Sequence, residues 1–186
     1  LCVLAAFVGT CKGGFCVADE STVSADPADF LSADTWDCAN DTDGIPDDDD
    51  LCLIRNVTVT LSGDALTIVQ GLDILDAGGL EVIEDADFET GWLSVSGFST
   101  VLVESTGTFD ITPRRTANSG IQEFAYLVLA EGSLFSMDGD ATLDVSNYGA
   151  AGNTYIRVTG GSVLSKTGRG YVLVQGYGFF CGFPPF

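Results

Sequence analysis

Carboxylates are the side chains in this sequence best placed to do chemistry, and their densest run lies between two cysteines. Residues 38–52 read Cys-Ala-Asn-Asp-Thr-Asp-Gly-Ile-Pro-Asp-Asp-Asp-Asp-Leu-Cys. Calcium takes about six to eight oxygen ligands, and alternate carboxylates wrap a cation where the chain turns at a glycine. Asp41, Asp43, Asp47 and Asp50 flank Gly44 with that spacing, so these four are the expected ligands and calcium the expected cofactor. The plainer reading is a solvated acidic loop kept open by repulsion. Paired carboxylates also serve acid–base catalysis, and glycosidases use two of them. Asp138 with Asp140, and Asp85 with Asp87, are two apart and would share a strand face. Asp138-Gly139-Asp140 reads better as a turn, where these residue types serve backbone geometry. The chain has no histidine, which removes the Ser-His-Asp and Cys-His devices and the HExxH zinc site. No enzyme is expected.

The Asp-x-Asp-Gly-Ile-Pro-Asp core at 41–47, with its closing cysteine, resembles the calcium-binding repeat of thrombospondin type 3 and its bacterial relatives. The resemblance covers about 12 residues. It departs from the pattern where Ala39 stands for the first Asp, and no tandem copy follows. Calcium binding by this loop is what the resemblance implies.

Six cysteines sit at Cys2, Cys11, Cys16, Cys38, Cys52 and Cys181, with no C-x2-C pair. That spacing suits disulfides in an oxidising exterior better than a zinc ribbon. The expected pairings are Cys38–Cys52 across the acidic loop and Cys11–Cys16 as a local loop. Cys2 and Cys181 are then left to close the chain or to link subunits. Asn40-Asp41-Thr42 and Asn56-Val57-Thr58 are glycan acceptor triplets, and Asn56 is the better candidate because Asn40 lies among the presumed ligands. The first nine residues, Leu1 to Gly9, are apolar apart from that glycine. They read as a buried first strand, or as the end of a signal-peptide core, and are too short to span a membrane.

These groups need a scaffold, and the text from Leu51 onward supplies one. Short runs alternate with period two, as half-buried strands do. Val57 to Leu61, Leu72 to Ile74, Leu93 to Val95, Val101 to Val103, Phe109 to Ile111 and Tyr171 to Val174 are examples. Glycines punctuate them. Val95, Val103 and Ile111 are eight apart, as are Leu129, Met137 and Val145. The expected fold is all-β, a parallel β-helix of about six turns at roughly 20 residues each. The alternative is an antiparallel β-sandwich or jelly roll. The repeat of apolar-x-apolar, two or three polar residues and glycine resembles the β-helical (β-solenoid) repeats of extracellular surface adhesins and filament proteins, over about residues 53–174. Pro113 to Ile121, with Arg114 and Arg115, reads as an excursion from the pattern and as the place for a ligand if the protein is an adhesin.

Three sections are therefore expected. Residues 1–52 are a cysteine-rich, acidic segment that caps or donates a strand. Residues 53–174 are the repeat domain, and 175–186 an aromatic tail. Residues 19–50 carry 12 acidic and no basic residues, while after Asp144 there are only Arg157, Lys166 and Arg169. Opposite charge at the two ends favours head-to-tail contact between copies. The net charge of −20 argues against nucleic-acid binding. The tail holds Phe179, Phe180, Phe183 and Phe186, which need a cover and are the expected subunit interface. The function expected is a structural subunit of a secreted, self-assembling extracellular filament. It would be joined by strand addition to copies of itself, and would not span a membrane. The alternative is a monomeric or tethered adhesin that binds glycans.

Overall fold

The computed structural model describes residues 14–23, 27–39, 43–113, 125–147 and 154–175. Among these the chain is all-β, with one 3-10 turn at Ala33–Thr35 and no α-helix. Strands β1 (Phe15–Ala18), β2 (Ala28–Asp29) and β3 (Asp37–Ala39) open the chain. They are followed by β4 (Leu51–Arg55), β5 (Thr58–Leu61), β6 (Leu66–Val69), β7 (Gly71–Leu75), β8 (Gly79–Val82) and β9 (Asp87–Thr90). Next come β10 (Trp92–Val95), β11 (Thr100–Val103), β12 (Thr108–Ile111), β13 (Ala125–Leu129), β14 (Leu134–Met137) and β15 (Thr142–Ser146). The last three are β16 (Thr154–Val158), β17 (Val163–Lys166) and β18 (Val172–Gln175).

The strands form three sheets. The first runs β16-β13-β10-β7-β4-β1-β3, the second β17-β14-β11-β8-β5-β2 and the third β18-β15-β12-β9-β6. From β4 on, successive strands enter the three sheets in rotation, and each pairs with strands three places away. Every pairing but β1 with β3 is parallel. The antiparallel sandwich is thereby excluded. Local hairpins would need each strand beside its successor, and here that edge is already taken.

Alternation decides which side chains face inward. Odd and even positions of a strand point to opposite faces, and the buried set follows that rule. In the first sheet Cys52, Leu72, Leu93 and Leu127 are in register and buried. In the third, Phe88, Phe109 and Leu143 are in register and buried. Phe88 stacks on Phe109 at 5.0 Å between ring centroids, and Phe135 of the second sheet meets Phe109 edge-on. Val95, Val103 and Ile111, spaced by eight, sit on β10, β11 and β12, one in each sheet, all fully buried. Eight residues therefore mark one strand plus one corner.

The register steps vary. Along the row Cys52, Leu72, Leu93, Leu127, Ile156 they are 20, 21, 34 and 29 residues. Between 51 and 175 the described residues form five three-strand units, against the six expected, because the connections before β13 and β16 are long. Pro113 begins the first of these, and Arg114, Arg115 and the rest of that excursion lie outside the described residues. The boundary expected at residue 52 falls inside β4, and Cys16, Ala18, Phe30 and Trp36 share one hydrophobic cluster with the later strands. The corner between the second and third sheets takes a positive φ in every unit, at Gly63, Glu84, Ser105, Gly139 and Gly168. Glycine punctuation marks that corner only where the residue is glycine. Asp138-Gly139-Asp140 is such a corner, as the turn reading expected.

Candidate functional site

The two ends of the sheet stack differ. At the N-terminal end, β3 turns back against β1 and stops the parallel ladder of the first sheet. β2 ends the second sheet after two residues. Phe30 and Trp36 fill the core there. Both are buried, their rings meet edge-on at 4.8 Å, and the Trp36 indole N–H donates to the Phe30 carbonyl at 2.8 Å. Phe30 packs in turn on Phe88. This end is also acidic: Asp29, Asp34, Asp37, Asp43, Asp47, Asp48 and Asp49 are exposed.

At the other end nothing among the described residues lies beyond β16, β17 and β18. The row Val95, Leu129, Val158 shows the consequence. The first two are fully buried and Val158 is 36% exposed, although all three take the same inward position. Tyr155, Val163, Tyr171 and Val172 are exposed between 38 and 58%. Among the described residues, half of the exposed large apolar side chains belong to this final unit. Its charged residues are Arg157, Lys166 and Arg169. Among the described residues, the acidic section thus lies at a plugged end and the basic section at an uncovered apolar end.

Of the expected calcium ligands, Asp41 lies outside the described residues. Asp43 is exposed and its carboxylate accepts the Ile45 N–H at 3.1 Å. Asp50 is buried, with its carboxylate accepting from the Gly14 N–H and, at 2.9 Å, the Asp47 N–H. It ties the loop to the start of β1. Asp47 instead groups with Asp48 and Asp49, whose carboxylates also offer oxygens within 4.8 Å of one another. The Asp49 carboxyl is raised above the usual range by its hydrogen bond with Asp47, then by partial burial and the neighbouring carboxylates. Hard oxygen donors at this spacing suit calcium in kind.

Cys16 and Cys38 face each other across β1 and β3 and form a disulfide, S–S 2.08 Å. This replaces the expected Cys38–Cys52 and Cys11–Cys16 pairings. β1 lies between β3 and β4, so Cys38 and Cys52 stand two strand spacings apart, about 10 Å, beyond disulfide reach. Cys52 faces Cys16 from the other side as a buried free thiol. Burial, then Asp50 and Asp47, push its pKa well up. Cys2, Cys11 and Cys181 lie outside the described residues, as do Asn40, Phe179, Phe180, Phe183 and Phe186. Asn56 is exposed at the corner after β4, with φ 58°. It lines a shallow open groove of about 400 Å³ with Asp19, Glu20, Ser21, Arg55 and Asp76. Arg55 pairs with Asp19 at 2.9 Å. Hydrogen bonds from Ser21 and then Arg55 hold the Asp19 carboxyl at about 2.

Two outward rows were not foreseen from the sequence. Glu89, Asp110 and Asp144 stand in register on the third sheet. Asp110 is pushed up to about 6, by burial first and then by Asp144, Glu89 and Asp87. On the first sheet, Trp92, Tyr126 and Tyr155 stack at 5.8 and 5.4 Å. Only the register brings either row together. Exposed corner acids such as Asp85 and Asp138 accept hydroxyl hydrogen bonds from Thr106 and Thr167. Comparison with family models, with curated proteins and with solved structures finds no match.

Proposed function

We propose that this chain is a structural subunit of a secreted, self-assembling extracellular filament, wound as a three-sided parallel β-helix and joined head to tail. The observation that carries the reading is the difference between the ends. One is plugged by Phe30 and Trp36 and is acidic. The other has no strand beyond β17 and β18 among the described residues, carries Arg157, Lys166 and Arg169, and exposes Val158 and Val172 on inward rows. A free parallel edge is a template for another strand. A contact between unlike ends that does not close into a ring extends into a filament. The rotation of strands through three sheets and the repeated positive-φ corner support the β-helix, and the Cys16–Cys38 disulfide fits an exterior compartment. Calcium enters as the counter-ion of the Asp47–Asp49 group, relieving repulsion at the acidic end.

Sedimentation velocity of the wild type and of Val172→Asp tests this. The wild type should form concentration-dependent oligomers, and the variant should stay monomeric with the same circular dichroism. A wild type that is monomeric at every concentration, or a variant that assembles equally well, would overturn the reading. A second reading, a monomeric or tethered adhesin that binds glycans, draws on the open groove at Asp19, Arg55 and Asn56. A glycan-binding screen is its test.

A further inference from the structure

The outer rows of the third sheet change character at both ends. One row runs Leu66, Asp87, Thr108, Thr142, and Tyr171 stands opposite Thr142, one place before β18. The next runs Ile68, Glu89, Asp110, Asp144, Leu173. The middle members are charged or hydroxylated. The terminal members are apolar: Leu66 is 61% and Tyr171 58% exposed, and Ile68 and Leu173 are half-buried. The second sheet has no such match, since its outer rows run from Thr58 to Val163 and from Thr60 to Ser165. The corner before the third sheet is matched in charge. Asp64, Asp85, Thr106, Asp140 and Arg169 each follow its positive-φ residue, so an acid begins that row and a base ends it. The backbone matches too. Among the described residues β6 and β18 are the edges of the third sheet, with four residues each. The Asp87 N–H donates to Ala65 O, and the Leu143 and Asn147 N–H groups donate to Tyr171 O and Gln175 O. Backbone groups alternate in direction along a strand, so Leu66 and Ile68 direct theirs away from β9, and Val172 and Val174 theirs away from β15.

We propose that the third sheet runs on from one copy of the chain to the next, β18 of one pairing in parallel with β6 of the other. Tyr171 then lies beside Leu66, Val172 beside Thr67 and Leu173 beside Ile68. This rests on the head-to-tail reading and names the strands that meet. At this register the Val172 N–H donates to Leu66 O and the Val174 N–H to Ile68 O. A slip of one residue would set outward side chains beside inward ones. The apolar ends of the two outer rows cover each other, and Arg169 meets Asp64. The inward row Thr67, Phe88, Phe109, Leu143, Val172 continues without a break. A second copy is the occupant because both halves of the match, apolar and charged, stand at opposite ends of the same rows of this chain. The other sheets offer less: the first ends on the antiparallel β3, and the second on a two-residue β2.

Disulfide trapping in the full chain tests the register. Leu66→Cys with Tyr171→Cys places thiols at the two ends of a five-strand row, about 19 Å apart within one copy, so they cannot join within a chain. Under mild oxidation this double variant should give a ladder of dimers and longer species on non-reducing gels, beyond the bands of the wild type. Leu66→Cys with Val163→Cys, which moves the second thiol to the second sheet, should not. In sedimentation, Asp64→Arg should weaken assembly about tenfold, and adding Arg169→Asp to it should restore assembly. A wild type that oligomerises while Leu66→Cys with Tyr171→Cys gives no ladder would overturn this proposal and leave the head-to-tail reading standing. Equal ladders from both cysteine pairs, or no rescue by the charge swap, would overturn it as well. A wild type that is monomeric at every concentration would defeat both.

Discussion

Replacing Asp110 with Asn should stabilise the protein at neutral pH. Asp110 stands between Glu89 and Asp144 in one outward row. Adjacent strands are about 4.8 Å apart, and like charges about 5 Å apart repel by roughly 1–2 kcal/mol at an effective dielectric of 40–80. Half-burial adds a desolvation penalty, and together they raise the carboxyl from 3.8 to about 6. A shift of that size is worth about 3 kcal/mol if fully felt. Solvent screening of a half-exposed group leaves about 1 kcal/mol. The folded pKa lies above the unfolded one, so this contribution is fully present below about pH 4 and is lost as pH rises through 6. Asparagine carries no charge to lose. Asp110→Asn should therefore melt about 2–4 °C above the wild type at pH 7, with the difference fading by pH 4. Thermal denaturation of both proteins at pH 4, 5.5 and 7 is the assay. Equal melting at pH 7, or a gain that persists at pH 4, would refute the reasoning that the register stacks these three carboxylates.

Phe109→Ala should cost about 3–5 kcal/mol in urea denaturation, because Phe109 is fully buried between Phe88 and Phe135. Thr67→Val should stabilise by about 1 kcal/mol, since the Thr67 hydroxyl is buried in the core without a hydrogen-bond partner; a loss would show that the hydroxyl is satisfied. Cys52 should resist alkylation in the native protein, even at pH 9, and react on unfolding, while Cys16 and Cys38 should react only after reduction; peptide mapping of the labelled cysteines reads both. If calcium is the counter-ion of the acidic loop, chelator should lower the melting temperature of the wild type and leave Asp47→Asn with Asp48→Asn unchanged, and equal melts of the wild type with and without chelator would remove calcium from the account.

The strands whose inward residues are all apolar were legible in the sequence. Leu93-Ser94-Val95 and Val101-Leu102-Val103 alternate cleanly, and their spacing of eight is the length of one side. β6 and β9 were harder to read. Leu66-Thr67-Ile68-Val69 puts a threonine in the core and an isoleucine on the outer face, and Asp87-Phe88-Glu89-Thr90 has one apolar residue in four. Tertiary pairing, not local pattern, makes them strands. The disulfide was misread because nothing local says that β3 turns back and leaves β1 between Cys38 and Cys52. The carboxylate row needs register steps of 21 and 34 residues, and the second spans an excursion whose length no periodicity reveals. The charge difference between the ends was visible in composition. That the basic end is also the one with no strand beyond it among the described residues came only from the strand order.

Electron microscopy of the purified chain in negative stain, at low ionic strength with and without calcium, tests the assembly claim most directly. The account predicts unbranched fibres of uniform width built from end-to-end copies, shortened or absent in Val172→Asp. Isolated particles at every concentration in both conditions would contradict it.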